Sequence, residues 1–149
     1  MDKHTFDAQV PLRDPSGAES LVTLSCSFQD LDPRHAPPEC RIRLIGLERE
    51  FEGAGPDFFE ALCRLREQLE PSRRVLVCYG ASRNVWPSGM CRDMGTGLRA
   101  YRLTSGTQTS AEDLVDILAT GPDVQPATVA EQRAFCLRLL DPRSRTPSN

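Results

Sequence analysis

The sequence predicts an α+β domain: an antiparallel sheet, formed by an N-terminal meander and later central strands, with about three helices packed on it. Three observations point there. Apolar residues alternate with polar ones from Phe6 to Leu44, the period of half-buried strands. After Gly55-Pro56 the apolar spacing changes to steps of four, three and four, the period of a helix. Strand-like and helix-like segments then follow one another to Leu140 across short links, and no composition break divides the 149 residues, so residues 1–149 form one domain.

Phe6, Ala8, Val10 and Leu12 define the first strand, and Arg13-Asp14-Pro15-Ser16-Gly17 is turn chemistry, with proline presetting φ and glycine accepting a positive one. Val22, Leu24, Cys26 and Phe28 alternate with Thr23, Ser25 and Ser27 in a second strand. A loop carrying Asp32-Pro33 and Pro37-Pro38 leads to a third, which starts near Cys40 and runs through Ile42 and Leu44. At Ile45-Gly46 the apolar phase flips to Leu47 and Phe51, which predicts a bulge or bend at the glycine. Short links between consecutive strands predict an antiparallel meander.

Pro56 stands at the first position of the predicted helix, whose stripe is Phe58, Leu62, Leu65 and Leu69, widened by Phe59 and Cys63. Glu70-Pro71 ends it, because a residue before proline is pushed out of the α region. The continuous apolar run Val75–Tyr79 predicts a central strand buried on both faces, and Leu98–Leu103 another strand. Ser110-Ala111-Glu112-Asp113 opens a short helix that Gly121-Pro122 closes. Thr128-Val129-Ala130-Glu131 matches a capping box and starts the last helix, which Asp141-Pro142 stops; a frayed tail from about Arg143 follows.

Composition excludes several classes of function. With 39% hydrophobic and 26% charged residues the chain is neither collagen-like nor disordered. A net charge of -3 argues against a nucleic-acid binder held by a global positive field. No apolar run approaches the roughly 18 residues of a membrane span, and Met1–Thr5 leads into no apolar signal segment, which predicts a cytoplasmic protein. The cysteines at 26, 40, 63, 78, 91 and 136 show no CxxC spacing, so they read as reduced thiols and imply neither a metal nor a cofactor. With only His4 and His35, schemes that activate a nucleophile by histidine are weakened.

Three segments stand out chemically. Gly80–Gly97 is long, glycine-bearing and holds the only tryptophan. It reads either as a recognition loop, with Trp86 as anchor and Arg83 and Arg92 as forked donors, or as a self-packed loop in which Trp86 and Met90 cover one end of the sheet. Its Gly95-Thr96-Gly97 lacks the further glycine and following helix of a dinucleotide fingerprint. Glu48, Glu50 and Glu52, at alternate positions of one strand, fall on one face; with Asp57 and Glu60 they set five acids against Arg49 alone, either a solvated face or a surface for a basic partner. Residues 71–105 carry Arg73, Arg74, Arg83, Arg92, Arg99 and Arg102 against Asp93, interleaved with Tyr79, Trp86 and Tyr101 as in a platform for single-stranded nucleic acid, although strand alternation need not bring them together.

The run Cys78-Tyr79-Gly80-Ala81-Ser82-Arg83-Asn84-Val85-Trp86-Pro87-Ser88-Gly89-Met90, followed by Met94-Gly95 and Ala100-Tyr101, resembles small bacterial immunity proteins of polymorphic toxin systems, encoded beside secreted effectors such as Rhs-type toxins. Leu114-Val115-Asp116-Ile117 and Val129-Ala130-Glu131-Gln132 fit the same pattern, so the resemblance covers roughly residues 40–140. It implies a non-enzymatic inhibitor that occludes the active site of a cognate toxin or effector domain, and no catalytic residue to carry over. The expected contacts are then Glu48, Glu50, Glu52, Asp57 and Glu60, facing a basic toxin, with Arg83, Trp86 and Arg92. The alternatives are a small enzyme with Arg83, Arg92, Asp93 and Cys91 around its substrate, or an adaptor or regulatory module.

Overall fold

The computed structural model describes residues 3–29, 34, 39–94, 96–141 and 143. The alternating N-terminal segments become β1 (Lys3–Arg13) and β2 (Glu19–Gln29), antiparallel from Lys3↔Gln29 to Arg13↔Glu19. Asp14 makes the turn between them: its N–H donates to the Ala18 carbonyl (2.9 Å), and its Oδ1 accepts from the Ser16 and Ala18 N–H groups (2.8 and 3.1 Å). β3 (Glu39–Ile45), β4 (Phe51–Gly55) and β5 (Val75–Leu76) complete a five-stranded antiparallel sheet in the order β4-β3-β2-β1-β5. A second antiparallel sheet, β6-β7-β8, comprises Val85–Trp86, Arg99–Arg102 and Leu114–Asp116. With α1 (Phe58–Leu69), α2 (Gly89–Met94) and α3 (Val129–Leu140), the architecture is the predicted α+β. No helix among the described residues is long and apolar enough to cross a membrane.

The core follows from the two periods. Val10, Leu12, Val22, Leu24, Cys26, Ile42, Leu44 and Phe51 point from one face of the large sheet onto Phe58, Leu62, Leu65 and Leu69 of α1, and all are buried in one contiguous cluster. Each large side chain so buried stabilises the fold by about 1.5–3 kcal/mol. The opposite face carries Thr23, Ser25, Arg43 and Glu52, with Leu21 and Ile45 as its exposed apolar side chains.

Several predicted details are corrected. Of the bulge or bend predicted at Gly46 the bend forms, as a full chain reversal: Gly46 has φ +115°, open to glycine, and β4 returns beside β3 with Arg43 opposite Glu52. The meander therefore has four strands. Pro56 precedes the helix rather than opening it; Asp57 is the cap, its Oδ1 accepting from the Glu60 N–H at 2.8 Å. The apolar run from Val75 is not a central strand. β5 pairs only with Leu12 and Arg13 at the sheet edge, and the chain then turns into a 3-10 turn at Tyr79–Ala81, so its burial comes from packing under α1. The helix expected after Ser110 is a single 3-10 turn, Ala111–Asp113, after which Val115 pairs with Ala100 in β8. The ten residues between Ser110 and Gly121 are too few to hold a helix by themselves, so pairing with β7 decides the conformation. The third helix is instead α2, inside the segment read as a loop. Both bonds of the Thr128–Glu131 capping box form, at 3.1 Å each. The loop prolines at 33, 37 and 38, His35, Gly95 and the tail from residue 144 lie outside the described residues.

α1 closes the outer edge of β4. Arg64 Nη1 donates to the Ala54 carbonyl (2.6 Å) and Gln68 Nε2 to the Glu52 carbonyl (2.5 Å). The approach is close because β4 has a glycine at its centre: a Cβ on Gly53 would sit 2.1 Å from the Ala61 carbonyl oxygen and 2.6 Å from the Leu65 nitrogen. Backbone cannot yield as a side chain tip can. Gly53→Ala is therefore expected to lower stability by about 3 kcal/mol, the upper end of overpacking costs, read as a shift in the urea midpoint at unchanged m-value.

Candidate functional site

The irregular chain between β5 and β7 is held from beneath by one buried polar pair. Arg66 of α1 is 4% exposed, yet its hydrogen-bond acceptors are not carboxylates. Its Nη1 donates to Gln132 Oε1 (2.6 Å) and the Gly80 carbonyl (3.2 Å), and Nη2 to the Ala127 carbonyl (2.7 Å). Gln132 of α3 turns its Nε2 toward the carbonyls of Gly80, Ser82 and Val85 at 3.0, 2.9 and 3.0 Å, sharing two N–H groups among three acceptors. Burial pushes the Arg66 pKa below the ordinary arginine value, and the ring of carbonyl dipoles offsets that loss of water. Ser82 extends the frame: its Oγ accepts from the Gln125 N–H (2.9 Å) and donates to Asn84 Oδ1 (3.0 Å), and Asn84 Nδ2 reaches the Leu103 carbonyl (3.2 Å).

On this frame three of the predicted contact residues converge. Trp86 meets Phe59 edge to face, with centroids 5.4 Å apart. Arg92 of α2 donates through Nη1 to Asp57 Oδ2 (3.0 Å), and its guanidinium lies 5.3 Å from the Phe59 ring and 5.8 Å from the Trp86 ring. Asp57 is 4% exposed and both of its oxygens are engaged, one capping α1 and one pairing with Arg92. Arg83 stands apart, stacked over Phe135 of α3 at 4.5 Å with Nη2 on Gln125 Oε1 (3.0 Å). Of the self-packed reading, Trp86 fits and Met90 does not: Met90 is 70% exposed.

The acidic face is not arranged as predicted. Glu48 and Glu50 lie in the 46–50 connection and only Glu52 is on β4, so the three do not share one strand face. Each of the five acids also has an arginine partner from outside the segment, four of them brought by folding and Arg64 one helical turn from Glu60. Arg74 grips Glu48 through two bonds (2.7 and 2.9 Å), Arg43 meets Glu50 (2.8 Å), Arg41 meets Glu52, Arg92 meets Asp57, and Arg64 lies 3.4 Å from Glu60. Arg49, the one base counted within the segment, stacks over Phe51 at 4.1 Å instead. The forked Arg74 guanidinium holds the Glu48 carboxyl at about 2, against an ordinary 4.5. The arginine-rich stretch likewise forms no track: Arg74 turns to Glu48, Arg92 to Asp57, and Arg102 to Asp123 (3.0 Å), which also accepts from the Tyr79 hydroxyl (2.6 Å).

All six thiols are free. Burial raises Cys26, Cys40 and Cys136 to about 12 and Cys63 and Cys78 to about 11, leaving only Cys91 partly exposed. Among the described residues no group of three or more His, Cys, Asp or Glu is placed to hold a metal ion.

What residue patterns missed is an apolar groove. Trp86 and Tyr101, directly opposite in β6 and β7, line it with Pro87, Met90, Leu103 and Leu140, around a volume of about 390 Å³. It runs on over Leu103, Thr109 and Leu140 into a second hollow of about 210 Å³ beside Thr104–Thr109. One signal was available. α3 buries Val129, Gln132 and Cys136; Leu137 falls off that stripe, and Leu140, on the stripe but at the last turn, is still exposed.

Two measurements check this account. Native protein treated with an aromatic disulfide reagent is expected to release one equivalent quickly, from Cys91, and the remaining five only on unfolding. In an acid titration followed by NMR, Glu48 is expected to titrate near 2 and to return toward 4.5 in Arg74→Ala. Because the folded value is the lower one, the pair contributes its stability above the unfolded carboxyl range and loses it as pH falls through about 2. No protein-family model and no curated protein matches the chain, so a reading of its role rests on the surfaces just described.

Proposed function

We propose that this protein is a non-enzymatic immunity protein, which acts in the cytoplasm by binding a cognate toxin or effector domain and occluding its active site. The observation that carries the reading is the groove between β6, β7 and the end of α3. Trp86, Tyr101, Met90 and Leu140 offer aromatic and flexible apolar surface around a rigid frame, the composition of an interface centre. Met90 at 70% and Leu140 at 44% exposure are left uncovered by the described residues. Of the groups that an enzyme reading would use, the two arginines are engaged elsewhere, Arg92 with Asp57 and Arg83 with Gln125 and Phe135, while Cys91 is partly exposed and Asp93 exposed.

The acids keep a secondary part in this reading. Pairing removes most of their local field, so Glu48, Glu50 and Glu52 act with the net charge of -3 on the rate of encounter with a basic toxin rather than as the seat of affinity. Glu60, beside Arg64, acts in the same way, while Asp57, Trp86 and Arg92 set the floor of the contact region.

Co-expression with a toxin domain encoded beside this gene is the test. Growth rescue with a stoichiometric complex is expected. Met90→Asp with Leu140→Asp is expected to weaken that complex at least about a hundredfold, as loss of an interface centre does, while Glu48→Lys with Glu50→Lys mainly slows association. Protection at substoichiometric amounts, without a complex, would instead mark a catalyst and overturn the reading.

A further inference from the structure

Among the described residues the sheet edges are protected with one exception. The outer edge of β4 is closed by Arg64 and Gln68, while β5 and β6 have two residues each and β8 three. β1 is different. β5 covers it only at Leu12 and Arg13, with one further bond from the Val77 N–H to the Pro11 carbonyl (2.8 Å). From Lys3 to Gln9 no described residue pairs with its outer side, and Thr5, Asp7 and Gln9 are exposed.

Backbone phase says which groups stand open. The Pro11 carbonyl faces β5, and along a strand alternate residues face the same side, so Thr5, Asp7 and Gln9 direct N–H and C=O outward while Phe6, Ala8 and Val10 bond to β2. Pro11 itself has no N–H to offer, which sets the upper limit of the open edge. On the core face of this stretch Phe6 remains 38% exposed, although its ring meets Phe58 edge to face at 5.5 Å. A long, flat edge beside an uncovered aromatic ring is a template for a further strand.

We propose that a second copy of this chain supplies that strand, joining the two five-stranded sheets into one through antiparallel β1–β1 pairing about a twofold axis at Phe6. The edge is complementary to itself in this register. Thr5 of each copy lies opposite Asp7 of the other, forming the hydrogen-bonded pairs, and the two Phe6 residues face each other in a close, non-hydrogen-bonded pair with Cα atoms about 4.5 Å apart. Cross-strand aromatic pairing is favourable there, and the hydroxyl of Thr5 stands beside the Asp7 carboxylate. Centring on Asp7 instead would set two carboxylates against each other, which disfavours that register. No residue of β1 lines the groove of Trp86 and Leu140, so the pairing is argued independently of the toxin-binding reading.

Sedimentation equilibrium over a wide concentration range tests the proposal on the full chain, with a reversible dimer expected. Asp7→Pro removes an outward N–H that pairs with no described residue, and is expected to give a monomer whose circular dichroism and unfolding midpoint stay close to those of the parent. Register is read by oxidation in a Cys91→Ser background: Phe6→Cys is expected to form a disulfide-linked dimer, and His4→Cys, whose copies lie two rows from each other's match, is not. Amide exchange in the unaltered protein gives a reading that needs no variant, because Thr5, Asp7 and Gln9 should gain protection with concentration while Ala8 and Val10 do not change. A monomer at every concentration, a dimer that survives Asp7→Pro, or equal cross-linking by His4→Cys each overturns it.

Discussion

A cation sealed inside the fold with amide and carbonyl partners is the constraint on which the rest of the structure depends. Stripping water from an arginine costs several kcal/mol unless every N–H finds a partner. Here Arg66 draws the chain at Gly80, Ala127 and Gln132 to itself, and Gln132 passes the demand on to Ser82 and Val85. Among the described residues no buried side-chain nitrogen or oxygen lacks a partner. An irregular stretch thereby acquires a definite shape without belonging to a long element. Everything displayed above it, from Trp86 to the loop after β7, inherits that shape.

Surface charge follows another logic. The pairs of Arg43 with Glu50 and of Arg13 with Glu19 leave both partners about half exposed, where solvent screens such contacts and they add little to stability. Their effect is to make the outer sheet face locally neutral. Asp57 with Arg92 is of another kind, because the carboxylate is nearly inaccessible and also caps α1. That pair fastens α2 to the start of α1, and it explains why a short helix persists in a stretch with three glycines nearby.

Local signals in the chain foretold the fold well where one residue type has one structural use. The strand alternation of Val22–Phe28, the stripe Phe58–Leu69 and the Thr128–Glu131 box all took the predicted form. The misreadings have a common cause. An apolar run such as Val75–Tyr79 records burial but not which neighbour provides it, and the Leu114–Ile117 pattern is compatible with both a short helix and a strand until β7 is beside it. The same holds for the site. Counting acids against bases inside a window ignores Arg41, Arg43 and Arg74, which arrive by strand pairing and loop packing. Arg66 and Gln132 lie 66 positions apart, and nothing at either position announces the other.

Five thiols packed as small core side chains have a consequence for how the molecule fails. Once the chain opens, those sulfur atoms regain ordinary acidity and become nucleophiles together, at a moment when apolar segments are also in solution. In air, scrambled cross-links then compete with recovery of the native state, and denaturation becomes a one-way process governed by its rate. A reducing milieu keeps the road back open. The durability of this small domain is thus tied to the redox state of its surroundings as firmly as to temperature.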